Sequence, residues 1–243
     1  MNHVSQFQRV RAHASWELKL LIRNGEQLLL TFIIPVALLL ALGFTSLSTQ
    51  KIDTAVPTVF AVSILATCFT SLAIGTGFER RSGALRYLGT TPLSRLDLIL
   101  GKLTATAILT FLSIVAVAIT GLFLDWRPSV TGILLALPIG VLAAAAFVSW
   151  ALVIAGHFRA EAVLAIANGL FLLMMIFGGV VIATTHMPSS IARIVDLLPS
   201  AAMANGLRSS LETGSCSLSI FVILAFWTAT GIWLAKKVFR WEP

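Results

Sequence analysis

Charge is what this chain of 243 residues has least of: 11% Asp, Glu, Lys and Arg, against 58% hydrophobic residues. Soluble globular proteins carry roughly 25% charged residues, and 17 basic plus 10 acidic side chains cannot cover a water-facing globule of this size. Cysteine is nearly absent. Cys68 lies in an apolar run and Cys216 in a polar segment, so their depths in a bilayer differ and no disulfide framework is expected. The phosphate-binding pattern GxxxxGK[ST] is missing; Gly101-Lys102 is followed by Leu103 and lacks the upstream glycine, which excludes a nucleotide site of that type in this chain. No HExxH or GxSxG occurs, so neither zinc-protease nor serine-hydrolase chemistry is indicated. His157 and His186 flank opposite ends of one apolar run and cannot share a metal. The chain reads as an integral membrane protein without an active site of its own.

What is present is length without charge. Six runs free of Asp, Glu, Lys, Arg and His cover residues 27–50, 54–78, 103–124, 128–156, 162–185 and 217–235, each near or above the ~20 apolar residues needed to cross a bilayer. An all-α integral membrane fold with six transmembrane helices is predicted, as a single domain over 1–243. Ionisable groups at mid-depth usually mark a coupled-ion path; their absence from the runs argues against a proton- or ion-driven carrier. The net charge of +7 is not read as nucleic-acid binding, because cytoplasmic loops of membrane proteins carry surplus Lys and Arg. With the N-terminus inside, Lys51, Arg127, Arg193 and Arg208 are the four cations left outside, and the other 13 of 17 are inside. Both termini are therefore expected in the cytoplasm. The N-terminal residues lack the pattern of a cleavable signal, so the first run is expected to remain in the mature protein.

Three segments do not span. Residues 1–26 hold an amphipathic helix, with Val4, Phe7, Val10, Ala14, Leu18 and Leu21 on one face. Arg9, His13, Lys19 and Arg23 lie mostly opposite, and Arg11 intrudes on the apolar stripe. Such a helix lies in the inner interface, as a surface anchor or with its cations toward a cytoplasmic partner. Residues 79–102, ERRSGALRYLGTTPLSRLDLILGK, read as a short helix over 82–88, a stop at Gly89, and a restart with Thr91 as N-cap and Pro92 at the first helical position. Residues 186–216 read as two short helices outside the cell. Pro188 opens the first and Pro199 stops it, and Ser200 caps the second. They lie on or dip into the outer leaflet, as a shield or as a gate.

The order of these parts resembles the membrane subunit of the ABC-2 family of ATP-driven transporters. Its pattern has an amphipathic N-terminal connecting helix, six spans, a cytoplasmic coupling helix between spans two and three, and short re-entrant helices between spans five and six. The most specific part is the loop: Glu79-Arg80, Gly83-x-Leu85, Thr91-Pro92-Leu93-Ser94-Arg95 and Gly101-Lys102. One departure is Arg86, where many relatives are acidic. Pro35 and the Pro188/Pro199 hairpin also look like the family.

The resemblance implies two ABC ATPase subunits as separate polypeptides, holding ATP and Mg that this chain does not bind. It also implies a second membrane subunit, identical or homologous, in a plasma membrane such as the bacterial inner membrane. The ATPase-coupling residues are then Glu79, Arg80, Arg81, Gly83, Leu85, Arg86, Tyr87, Thr91, Pro92 and Arg95. The arginines offer charge-assisted bonds, while Leu85, Tyr87 and Leu88 offer an apolar centre. By resemblance the second and fifth spans line the translocation path, which proposes Phe69, Ser71, Gly75, Asn168, Phe171, Met174 and Met175 as its residues, with Pro188 and Pro199 in a gating hairpin. Packing between helices accounts for the same path residues equally well, and Asn168 serves equally as interhelical glue. An apolar path suits a drug-like compound or lipid, and the resemblance implies export. A non-transporting membrane anchor or assembly factor that recruits a soluble partner would carry the same topology.

Overall fold

The computed structural model describes residues 5–44, 52–91 and 93–238, with ten helices and no strand among them. Helix α1 (Gln6–Arg23) opens on a capping box in which the Ser5 hydroxyl accepts from Gln8 N and the Gln8 side chain accepts from Ser5 N. Asn24 separates it from α2 (Gly25–Gly43) and caps that helix, its Oδ1 accepting from the backbone of Glu26 and Gln27. The long helices are α3 (Ile52–Arg81), α5 (Arg95–Phe123), α6 (Val130–His157) and α10 (Leu218–Val238), with α4 (Ala84–Gly89) between α3 and α5. Then come α7 (Ala160–Ile176), α8 (Ser189–Val195) and α9 (Pro199–Thr213). Both α2 and α3 contain π-helical stretches, Leu29–Ile33 and Leu65–Ser71.

Five helices, α2, α3, α5, α6 and α10, are long and apolar enough to cross a membrane. The apolar run at 162–185 does not fold as one continuous helix. Helix α7 has 17 residues, about 25 Å at 1.5 Å per residue, and stops at Ile176. Gly178 and Gly179 explain the stop. A side chain at Gly178 would meet Met174 O at 2.5 Å and Ser200 Oγ at 2.6 Å. Gly179 has φ +78° and presses its Cα hydrogens on Ala201, which an added Cβ would meet at 2.9 Å. The broken backbone leaves carbonyls that water cannot reach, and Arg208 of α9 takes them: Nη1 donates to Gly179 O at 2.9 Å and Nη2 donates to Val180 O. Arg208 also reaches Thr58 of α3 at 3.4 Å, so one guanidinium ties three elements together.

The same interaction corrects the reading of 186–216. Helix α9 is mostly buried against α6 and α3 instead of lying on a surface. Its small side chains, Ala201, Ala202, Ala204, Gly206 and Ser210, are all buried and permit close backbone approach, as small residues do between membrane helices. Pro199 does not stop the preceding helix; it is the first residue of α9, where its missing N–H costs nothing. Leu198, not Ser200, occupies the N-cap. Pro188 sits just before α8, which has only 7 residues. Asn205 secures α8, donating to Asp196 Oδ1 at 3.1 Å and Thr184 Oγ1 at 3.0 Å.

Elsewhere the core is helix on helix. Phe60 meets Trp126 edge-on at 5.8 Å and Phe69 meets Phe147 at 6.3 Å. Helices α6 and α10 close on Gly231, where any side chain would run into Ser149 and Trp150, and Trp150 Nε1 donates to Trp227 O at 3.1 Å.

Gly179→Ala should lower the thermal midpoint of the detergent-purified protein by several degrees, since the left-handed conformation alone costs a residue with Cβ roughly 1–2 kcal/mol. Gly169→Ala, inside α7 with nothing within 4 Å of the new methyl, should leave it unchanged or raise it slightly, as Ala does for Gly in a helix; equal melts for the two would refute the packing role of Gly179.

Candidate coupling site

At one end of the bundle, four segments far apart in sequence are bound together. Arg80 donates to Phe158 O, Arg81 pairs with Glu161, and Arg95 Nη1 donates to Lys236 O at 2.9 Å. Into this end fits α1, along the first part of α5.

Helix α1 turns Val10, Ala14, Leu18 and Leu21 of the expected apolar stripe inward, buried or half-buried, and sets polar groups beside them on the face toward α5; Val4 lies outside the described residues. Phe7, Trp16, Leu20 and Ile22 are exposed, while His13, Ala14 and Glu17 are buried. Arg9, His13 and Glu17 succeed each other at four-residue steps, hence on one face. The Lys102 ammonium, 1% exposed, lies 2.8 Å from Glu17 Oε1 and 2.8 Å from Glu79 Oε2. One turn earlier, Arg9 Nε donates to Asp97 Oδ2 at 2.9 Å. Gly101 makes the approach possible, because a Cβ there would collide with the His13 ring. Burying an ammonium is costly unless it is paired, and removing one partner of such a pair typically costs 3–5 kcal/mol. Two carboxylates from two helices on one cation therefore make a joint that either closes completely or opens.

His13 belongs to this joint in its neutral form. Burial, reinforced by the nearby Lys102 ammonium, lowers its pKa to about 4, with Glu79 and Asp97 acting in the opposite sense. An unfolded histidine takes up its proton near 6.5. Between about 6.5 and 4 the unfolded chain binds a proton that the docked helix refuses, so stability falls as pH falls through that window.

The coupling candidates divide into braced and presented groups. Glu79, Arg80, Arg81 and Arg95 are engaged within the chain, and Leu85 is fully buried, so Leu85 cannot be the apolar centre of an outside contact. Gly83 adopts φ +79° and starts α4; the break thus falls at Gly83, and Gly89 closes α4 as an ordinary helical residue. Arg86 and Tyr87 project outward, Tyr87 at 77% exposure, with exposed Thr91 just beyond. Pro92 lies outside the described residues. The N-cap of α5 is Ser94, not Thr91: its hydroxyl accepts from Asp97 N at 3.1 Å and Asp97 Oδ2 accepts from Ser94 N at 3.0 Å. Thr91 instead donates its hydroxyl to Leu88 O at 2.6 Å.

The path candidates do not converge on one surface within the chain. Phe69 and Met174 line an apolar cleft of about 420 Å³ that also contains Trp150, Phe177 and Trp227. Ser71, Phe171 and Met175 are half-buried, and Gly75 and Asn168 are exposed on α3 and α7. Sequence reasoning misses Glu17, Asp97 and the pairing role of Lys102. Asp97 is signalled by the capping pattern Ser94-x-x-Asp97; Glu17 and Lys102 lie inside their helices and carry no local signal.

Lys102→Met should lower the melting temperature and expose α1 to protease, whereas Lys102→Met combined with Glu17→Leu and Glu79→Leu should recover most of the loss; no difference between the two would refute the joint. Proteolysis within α1 should increase from about pH 6.5 to 4 and flatten in His13→Gln. A pH profile unmoved by that substitution would clear His13 of the effect.

Residues 8–211 match the family model described as ABC-2 type transporter. No curated protein matches the chain.

Proposed function

Because the chain belongs to the ABC-2 type transporter family, whose membrane domain is a multi-pass permease component working with ABC ATPase partners, we propose that it is the permease of an ATP-driven exporter. The observation that carries this reading is the division of the elbow formed by residues 79–102: its base is locked to α1, α5, α7 and α10, while Arg86 and Tyr87 are offered outward. A lever has this construction. A force on an exposed tip reaches the spans only if the base cannot yield.

In this reading two ATPase subunits, holding ATP and Mg, press on α4 and on the exposed side of α1 from the cytoplasm. Both termini lie on that side of a plasma membrane, such as the bacterial inner membrane. Helix α7 and the broken segment after it complete a sixth crossing. Asn168 supports a second membrane subunit, identical or homologous. It stands exposed halfway along α7, and a carboxamide facing hydrocarbon without a partner costs several kcal/mol. A subunit laid over α3 and α7 would cover both Asn168 and Gly75. The substrate class suited to such walls is hydrophobic or amphiphilic, a drug-like compound or lipid, with Phe69 and Met174 on its route. Pro188 and Pro199 frame the outer closure, with Arg208 as its latch.

Arg86→Glu together with Tyr87→Ala should cut co-purification of the cognate ATPase by tenfold or more, as loss of an interface hot spot does, with the melting temperature unchanged. Asn168→Leu should keep the complex and alter substrate-stimulated ATP hydrolysis. Retained ATPase binding in the elbow variant would overturn the coupling assignment. Binding without any substrate stimulation would favour a membrane anchor instead.

A further inference from the structure

At the end of the bundle opposite the elbow, α5 and α6 diverge below their connecting turn and leave a groove of about 460 Å³. Its floor is made by α3 and α9, through Phe60, Ile64, Leu207 and Leu211. Small residues line its depth, including Ala118, Ala136 and Gly140, while Phe111, Leu122 and Val141 stand exposed along its rims. Its lining runs from Ala107 to Leu122 on α5 and from Ile133 to Ala144 on α6, about 22 Å and roughly 17 Å at the helical rise. The groove is therefore long and parallel to the spans, and covers somewhat more than one leaflet, ~15 Å, of a hydrocarbon core some 30 Å thick.

Chemistry limits what can lie there. The wall contains one hydroxyl, Thr110, and that is already engaged with the Cys68 thiol at 3.4 Å. The one other polar group in the lining is the indole N–H of Trp126, so a compound that needs several polar contacts does not find them there. At the mouth, Trp126 and Pro128 line the groove and Arg127 stands exposed between them. One guanidinium nitrogen of Arg127 reaches Asp125 at 3.3 Å. An arginine has five N–H donors, so the others remain for a phosphate at headgroup level.

We propose that this groove is a phospholipid site in the outer leaflet, with one acyl chain lying between α5 and α6 and its phosphate on Arg127. The site is separate from the α3–α7 face assigned to the substrate path; it stands on the membrane-spanning character of the chain, and its assignment to the outer leaflet rests on the orientation proposed above. Since Leu207 and Leu211 flank Arg208 on α9, the bound tail rests on the helix that latches the break after α7.

The test uses the full complex in nanodiscs containing phosphatidylglycerol with a diazirine near the end of one acyl chain, photolysed and mapped by peptide mass spectrometry. Cross-links should concentrate on α5 and α6 within the groove. Gly140→Leu or Ala118→Phe, which fill it, should each lower that yield at least fivefold while labelling of the exposed α10 residues Val222 and Phe226 is unchanged. Gly140 has room for the change, its nearest neighbour being Ile64 Cδ1 at 3.9 Å from the new Cβ. Groove labelling no higher than α10 labelling, or undiminished in both filled variants, would overturn the site. Arg127→Glu should lower the yield twofold or more; an unchanged yield would overturn the phosphate contact, and with it the choice of a phospholipid over an uncharged greasy compound.

Discussion

A lysine ammonium held between two carboxylates, away from water, sets the geometry at the elbow end of this protein. Lys102 has no solvent to fall back on, so Glu17 and Glu79 must both be delivered to it, one from α1 and one from the last turns of α3. That requirement fixes how far α1 slides along α5, and Gly101 allows the distance to be as short as it is. It also fixes the direction in which α3 leaves the bundle, and hence where α4 is displayed. Buried ion pairs rarely contribute much net stability compared with well-packed apolar side chains. What they supply here is register, because only one alignment of three helices satisfies all three charges.

The far end solves a different problem by a related device. The chain after α7 leaves its helix inside the protein, where unpaired carbonyls are expensive. Arg208 supplies the missing donors from a neighbouring helix. A cation at each end thus replaces contacts that a purely apolar bundle cannot make, and the stretches between are left to packing of small and aromatic residues.

How much of this can be read from sequence depends on whether the information is local. The membrane class, the long apolar helices and the amphipathic leader follow from composition and period. The elbow follows from the run Glu79-Arg80-Arg81 and the motif around Gly83. The apolar half of the inward face of α1 follows too, through Val10, Ala14, Leu18 and Leu21, but its polar half does not, because periodicity assigns burial to apolar residues, whereas His13 and Glu17 are buried for the sake of a lysine 85 or more positions away. The start of α5 is ambiguous for a local reason: Thr91-Pro92 and Ser94-x-x-Asp97 are both good starts, and the second one satisfies two backbone N–H donors at once with two side-chain acceptors. Helix α9 is legible as a helix, but its depth is not, because beside Met203, Leu207 and Leu211 its buried surface is alanine, glycine and serine, which serve as well on a surface. The break after α7 is signalled by Gly178-Gly179, but what satisfies its carbonyls is Arg208, which lies in another segment.

The π-helical stretch Leu65–Ser71 in the middle of α3 has a bearing on this arrangement. Widening a turn from four residues to five inserts an extra residue without lengthening the rod much, and turns everything beyond it by about 100° relative to an unbroken spiral. The upper part of α3, with Thr58 under Arg208, and the lower part, with Glu79 on Lys102, are therefore clocked against each other by the bulge. Ratcheting that bulge along the rod would swivel one end while the other stays seated, so the two charged fastenings are joined by a shaft that carries its own swivel.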